Sequence, residues 1–149
     1  KKFLKLKNKY KKQISILRLT KNINKKTEPF NSWIKNLKKN KNITAFKDLY
    51  FAPILYSDSA KILNKIIENK AIGVFHLSGE KDINYCDFAK KLILKTKKKI
   101  TFVNCQNSND LKIKLVYNHH ITALKMRYTF KKLGVKPVKL SKIINYILK

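Results

Sequence analysis

Between Phe51 and Leu92 four segments follow one another in an order that few folds accept. They are Phe51-Ala-Pro-Ile54, Ser57-Asp-Ser-Ala60, Gly73-Val-Phe-His-Leu-Ser-Gly79 and Asp82-Ile-Asn-Tyr-Cys-Asp-Phe88. The first reads as a short strand. Ser57 or Asp58 then offers an N-cap, and Ala60, Ile62, Leu63, Ile66 and Ile67 fall on one face of the helix that follows. Ala71 to Leu77 is an apolar run holding one histidine, the pattern of a strand covered on both faces, and Gly79 lets the chain turn. Asn84 caps a second helix, with Asp87 three residues on in a capping-box position, and Tyr85, Phe88, Ala89, Leu92 and Ile93 line its buried side. Strand, helix, strand, helix predicts α/β architecture.

The flanking sequence extends this pattern. Residues 1–12 read as the tail of a helix, Ile14 to Leu19 as a β-branched strand, and residues 20–28 as a polar turn. Pro29 suits the first turn of a helix whose face carries Phe30, Trp33, Ile34 and Leu37. Two short strands, Ile43 to Phe46 and Tyr50 to Leu55, flank Asp48. Ile100 to Val103 predicts a strand, residues 104–120 a long loop, and Leu124 to Leu133 a helix closed by Gly134. Ser141 is expected to cap a last helix bearing Ile143, Ile144, Ile147 and Leu148. With no internal repeat and no linker, 149 residues make one domain with its own core.

No apolar run approaches the ~20 residues of a bilayer span, and the basic N-terminus has no apolar stretch of the secretory type. The expectation is a cytoplasmic protein. Residue 1 is Lys and the one methionine is Met126, which predicts a fragment beginning inside a larger protein. Cys86 and Cys105 stand apart without ligand-like spacing, and are expected to be structural thiols in a reducing compartment.

The formal net charge of +28 points towards polyanions. Non-specific attraction to nucleic acid at low salt follows directly. Specific readout does not, because only Arg18 and Arg127 among the 36 basic residues carry the bidentate guanidinium fork. The lysines spread through every segment beside frequent Asn and Ile, as an A/T-rich genome would impose. A lysine-rich nucleic-acid-binding domain stays open as the alternative reading.

The ordered set of motifs resembles one family. Ile16-Leu-Arg-Leu-Thr-Lys21 is similar to the sixth-strand signature of extended short-chain dehydrogenases/reductases. Phe30-x-x-Trp33, Ile43-x-x-Phe46-x-Asp48, Phe51-x-Pro53, Asp58-x-Ala60, Gly73 to Gly79, Tyr85-x-x-Phe88-Ala89, Thr122-x-Leu124 and Lys132-Leu-Gly134 resemble, in order, the dTDP-4-dehydrorhamnose reductase type. The resemblance runs from about Ile14 to Leu148. It implies the C-terminal part of a Rossmann-type reductase with its small substrate-binding subdomain, residues 1–149 being that single portion. The family's Gly-x-x-Gly-x-x-Gly turn does not occur in this sequence, and its catalytic Tyr-x-x-x-Lys, which lies just upstream of the Ile-Leu-Arg strand, is absent there, Tyr10 being followed four residues on by Ile14. The resemblance therefore implies that an N-terminal cofactor-binding half is missing, and that NAD or NADP belongs to the full-length enzyme, with none bound by this chain alone. It further implies a nucleotide-diphosphate sugar as partner, no membrane, and a homodimeric parent enzyme.

Within that reading the substrate-binding candidates are Arg18, Lys21, Phe51, Pro53 and His120. Lys21 sits at the C-terminal end of a strand, where open α/β sheets bind ligands, and its charge suits a diphosphate. Arg18 is either an anion contact or a structural partner of a nearby acid or carbonyl. Phe51 and Pro53 shape a cleft wall or simply the core. His120 stands where the family has an arginine, and Lys21 and His120-Ile121 depart from the family pattern. Trp33 and His76 read as core residues, and His119 with His120 makes no metal site without a convergent acid or cysteine. A non-catalytic remnant of the reductase fold acting as a binding module is a third reading.

Overall fold

The computed structural model describes residues 14–96, 98–111 and 121–149. Its backbone is organised by one extended line of chain, strand β1 (Ser15–Leu19) running into β2 (Lys21–Ile23). β1 pairs in parallel with β6 (Gly73–Leu77), and β2 pairs in parallel with β5 (Pro53–Leu55). At the junction the Thr20 amide donates to the Leu77 carbonyl at 3.1 Å, so the line changes partner just as β6 ends. β5 leads into helix α2 (Tyr56–Glu68), which returns the chain to β6. β5 and β6 are not paired with each other, so α2 links the partner of β2 to the partner of β1.

A second group holds helix α1 (Phe30–Lys38), β3 (Ile43–Phe46), β4 (Tyr50–Phe51), β7 (Ile83–Asn84), helix α3 (Tyr85–Leu94) and β8 (Val103–Gln106). β3 pairs in parallel with β8, and β4 antiparallel with β7. An aromatic cluster joins these elements. Phe30 meets Trp33 edge-on at 5.6 Å, Phe51 stacks on Tyr85 at 4.3 Å, and Phe88 lies 5.1 Å from Phe30. Such contacts add to the burial term itself, about 0.5–1.5 kcal/mol per pair. Trp33 is core, as expected, and its Nε1 donates to the Thr44 carbonyl at 3.0 Å. Helices α4 (Arg127–Leu133) and α5 (Leu140–Leu148) complete the order, α4 against β6 and α5 against β5.

Several expectations are met by the local chemistry. Asn84 caps α3 through the Asp87 amide at 2.7 Å and donates to the Asp87 carboxylate at 2.9 Å. Gly134 closes α4 in the left-handed region at φ 64°. Others are corrected. β2 forms inside the stretch read as a polar turn, because Lys21 to Ile23 find a partner strand that local sequence does not reveal. Ile100–Phe102 is a 3-10 turn, and the strand begins only at Val103. Helix α2 starts at Tyr56 after Leu55 with no side-chain cap, and α5 follows Lys139 rather than Ser141. On α2 the buried stripe is Asp58, Ile62 and Ile66, leaving Leu63 and Ile67 exposed. β6 buries only Phe75 and Leu77, its alternate side chains remaining half-exposed. The residues 1–12 helix and most of the 104–120 loop lie outside the described residues. Cys86 and Cys105 are joined as a disulfide that ties α3 to β8, not separate thiols. Among the described residues no helix is long and apolar enough to cross a membrane.

Candidate functional site

Around the β1–β2 junction, strand register brings the sequence candidates into one neighbourhood. Arg18 is exposed near the end of β1, opposite His76, and Lys21 is exposed at the start of β2, opposite Pro53. Pro53 itself is buried. Gly79 fixes that neighbourhood tightly: a Cβ there would stand 2.7 Å from the Pro53 carbonyl oxygen. Phe51, two residues earlier, is 3% exposed within the aromatic cluster. The structure thus presents Arg18 and Lys21 to solvent, sets the buried Pro53 beside Lys21 on the neighbouring strand, and keeps Phe51 in the aromatic core. His119 and His120 lie outside the described residues.

Sequence reasoning missed a row of polar atoms along the same line. Thr20 Oγ1 and Asn22 Oδ1, flanking Lys21, are buried and have no hydrogen-bond partner among the described residues. Asn22 is held by its amide, which donates to Ser59 Oγ at 3.0 Å in the first turn of α2. His76 Nδ1 lies 2.9 Å from the Lys125 carbonyl, which assigns the ring proton to Nδ1. Its Nε2 is buried and has no hydrogen-bond partner among the described residues. The expected satisfied core histidine is therefore satisfied at one nitrogen only. Buried polar groups without partners are rare and need an explanation. No sequence signal marks them, since each depends on which strand lies alongside.

Two carboxylates hold the surrounding segments by backbone contacts. Asp82 Oδ1 accepts from the Thr122 amide at 2.7 Å, the Thr122 hydroxyl at 2.7 Å and the Ala123 amide at 2.9 Å. Asp48 accepts from the Ser108 amide at 3.0 and 2.9 Å through its two oxygens. Multiple donors to one carboxylate are charge-assisted and geometrically restrictive. They position the 121–126 and 106–108 segments rather than perform chemistry.

The three-dimensional comparisons show which fold carries this arrangement. The chain overlays UDP-N-acetylglucosamine 4-epimerase from Bacillus cereus with a TM-score of 0.74 at 12% identity, covering 97% of this chain and 50% of that one. It overlays dTDP-4-dehydrorhamnose reductase from Bacillus anthracis, in complex with NADP, at 0.72 and 16% identity, covering 88% and 46%. This chain has the fold of the C-terminal half of an extended short-chain dehydrogenase/reductase. A third enzyme of that fold, dTDP-glucose 4,6-dehydratase from Bacillus anthracis in complex with NAD, overlays at 0.70 and 12% identity, covering 96% and 47%. The chain spans about half the length of each of these reductase-fold structures. No protein-family model matches the sequence, and no curated protein does.

In this fold NAD(P) requires a glycine turn opening onto a helix N-terminus. The three glycines of the chain are placed otherwise. Gly73 begins β6 against the Tyr128 hydroxyl, Gly79 lies under the Pro53 carbonyl, and Gly134 ends α4. Among the described residues none of these glycines opens onto a helix N-terminus as a pyrophosphate cradle requires.

Proposed function

We propose that this chain is the substrate-binding part of an NAD(P)-dependent sugar-nucleotide reductase or epimerase, and that it binds a nucleotide-diphosphate sugar at the β1–β2 junction. The observation that carries the reading is the overlay of 97% of the chain on half of a sugar-nucleotide epimerase at a TM-score of 0.74. The guanidinium of Arg18 and the ammonium of Lys21 meet the diphosphate, and His120 supplies a further donor. Phe51 and Pro53 form the floor that holds those groups in register. The cofactor, and the tyrosine and lysine that act on the sugar, come from an N-terminal half. The exposed apolar stripe of α2, with Tyr56 at 54%, Leu63 at 48% and Ile67 at 64% exposure, offers that half a surface to cover.

Calorimetric titration with dTDP-glucose and UDP-N-acetylglucosamine at ~150 mM salt tests the reading. One saturable site is expected, weakened about tenfold by Lys21→Ala or Arg18→Ala, as for loss of one charge-assisted contact. Binding indifferent to both substitutions, or no saturable binding, would sink it. The net charge of +28 favours a second reading, a nucleic-acid-binding domain. Saturable RNA or DNA binding that survives ~200 mM salt would support that reading, because purely lysine-driven attraction fades steeply there.

A further inference from the structure

We propose that the cleft between α2 and α5 binds a small polyanion, a molecule with at least two phosphate-type charges on a compact body that has a ring or apolar face. The inference is independent of the sugar-nucleotide reading, because Arg18, Lys21, Phe51 and Pro53 take no part in lining this cleft. It measures about 830 Å³ and is bounded by α2, α5 and the segment 135–139. That volume falls in the range of small-molecule sites, about 300–1,000 Å³.

The lining divides by chemistry. Leu55, Ile62, Leu77 and Val138, exposed by 3, 1, 1 and 7%, belong to its apolar base. Around them stand Lys61, Lys65, Lys136, Lys139, Lys142 and Lys149, all exposed. The one acid is Asp58, itself 8% exposed and already paired with Lys142. Lys65 is braced across the wall, its Nζ donating to the Leu133 carbonyl at 3.2 Å. Tyr146 presents an aromatic ring at the α5 side, with Lys25 Nζ 5.7 Å from its centroid.

Lysines cover this molecule, so their presence alone decides nothing. Concavity and six lysines against one carboxylate set this cleft apart. A second cleft of about 550 Å³ places Asp82 and Asp87 beside Lys81, Lys90 and Lys91, so its charges offset. In the α2–α5 cleft the one carboxylate is paired with Lys142 through Oδ1, its buried Oδ2 having no hydrogen-bond partner among the described residues, and low-dielectric walls concentrate the remaining positive field. Lysine ammonium groups are point charges on flexible stems. They recognise several negative charges without the fixed geometry an arginine fork imposes. A nucleic acid or acidic peptide would follow the outer lysines and leave the recessed apolar base unused. A small phosphorylated molecule uses both.

Calorimetry at ~150 mM NaCl with ADP and inorganic pyrophosphate as probes tests this. ADP is expected to saturate a site that persists in the Arg18→Ala/Lys21→Ala variant, and to bind there more tightly than pyrophosphate, since its ring covers apolar surface. The triple variant Lys61→Gln/Lys136→Gln/Lys139→Gln should weaken ADP binding about tenfold, from three lost and partly screened charges. A matched set on α1, Lys35→Gln/Lys38→Gln/Lys39→Gln, should change it by less than about twofold. Ser141→Glu, which adds one negative charge at the rim without removing a lysine, should reproduce the loss in a chain of unchanged circular dichroism. Equal weakening by the two triple variants would overturn the proposal, as the general field would then account for binding. So would the absence of a saturable ADP site, or binding of poly-glutamate or single-stranded RNA through the same lysines where ADP fails.

Discussion

Gly79 packs against the Pro53 backbone and Tyr85 against the Phe51 ring. Gly79 lets the exit of β6 approach the entry of β5: a Cβ would stand 2.7 Å from the Pro53 oxygen and 3.0 Å from the Ala52 carbonyl carbon and the Pro53 nitrogen. All three are backbone atoms, which cannot swing aside as a side chain could. Gly79→Ala is expected to cost about 2 kcal/mol in urea unfolding, within the range for overpacking, and to displace Pro53 opposite Lys21. Gly134→Ala meets nothing within 4 Å, and its cost is that of the left-handed backbone alone, about 1–2 kcal/mol. A Gly79 variant as stable as the parent would mean that the β5–β6 approach is looser than described. Tyr85 carries a different signal. Stacked on Phe51 at 4.3 Å, its phenol is pushed by burial above the ordinary 10.0. Folded and unfolded chains both hold that proton below about pH 10, so this group adds no pH dependence there. Above it the unfolded chain ionises first, and the stability Tyr85 contributes is lost as pH rises through the folded value. Tyr85→Phe should change stability at pH 7 by less than about 1.5 kcal/mol, and remove up to about 1.4 kcal/mol per pH unit from the alkaline loss. An unchanged alkaline slope in the variant would show that other groups cause it.

At the scale of elements, the disulfide gives a direct test of how α3 is held. Cys86 and Cys105 lie 19 residues apart in sequence, with Cα atoms 5.5 Å apart, and join α3 to β8. Opening a loop of that length is expected to cost about 3 kcal/mol in the chain-entropy model. Urea unfolding with and without dithiothreitol measures the cost, and Cys86→Ala/Cys105→Ala should behave like the reduced chain in both conditions. The same pair illustrates what sequence could convey. Two cysteines without a motif say nothing of the strand that brings them together. Helices α1, α3 and α4 were legible because their faces, the Asn84 cap and the Gly134 stop are local. So were β1, β5 and β6 as strands, since they are β-branched or apolar runs, although their pairing was not. β2 was not: Lys-Asn-Ile is a strand only because β5 lies beside it. The inner stripe of α2 escaped for a related reason. Both 58–62–66 and 63–67 are helical faces, and only tertiary packing selects the first. For the candidate site, the charges of Arg18 and Lys21 were readable, whereas the burial of Phe51 and the unpartnered atoms of Thr20, Asn22 and His76 arise from neighbours distant in sequence.

For the whole molecule the governing quantity is the field. A formal charge of +28 over 149 residues makes the compact state repel itself, because folding brings lysines together that the unfolded chain keeps apart. The described carboxylates do little to relieve this. Asp82 accepts from the 122–123 backbone, Glu80 Oε1 from the Leu140 amide, and the Asp87 carboxylate from the Asn84 side-chain amide, so these acids act as local clasps. Salt should therefore stabilise this fold, the opposite of its effect on a protein held by surface ion pairs. Between ~10 mM and ~100 mM NaCl the Debye length falls from roughly 30 Å to roughly 10 Å, shorter than the molecule is wide. Repulsion across the fold is then screened while contacts within one clasp are kept. The midpoint of thermal unfolding is expected to rise by about 5 °C over that interval, equivalent to roughly 2 kcal/mol for a chain of this size, and to level off at higher chloride. A midpoint that falls with salt would mean that attraction between unlike charges outweighs repulsion. The lysine field would then be organised rather than spread, and the dispersal of lysine through every segment would have to be read as pairing.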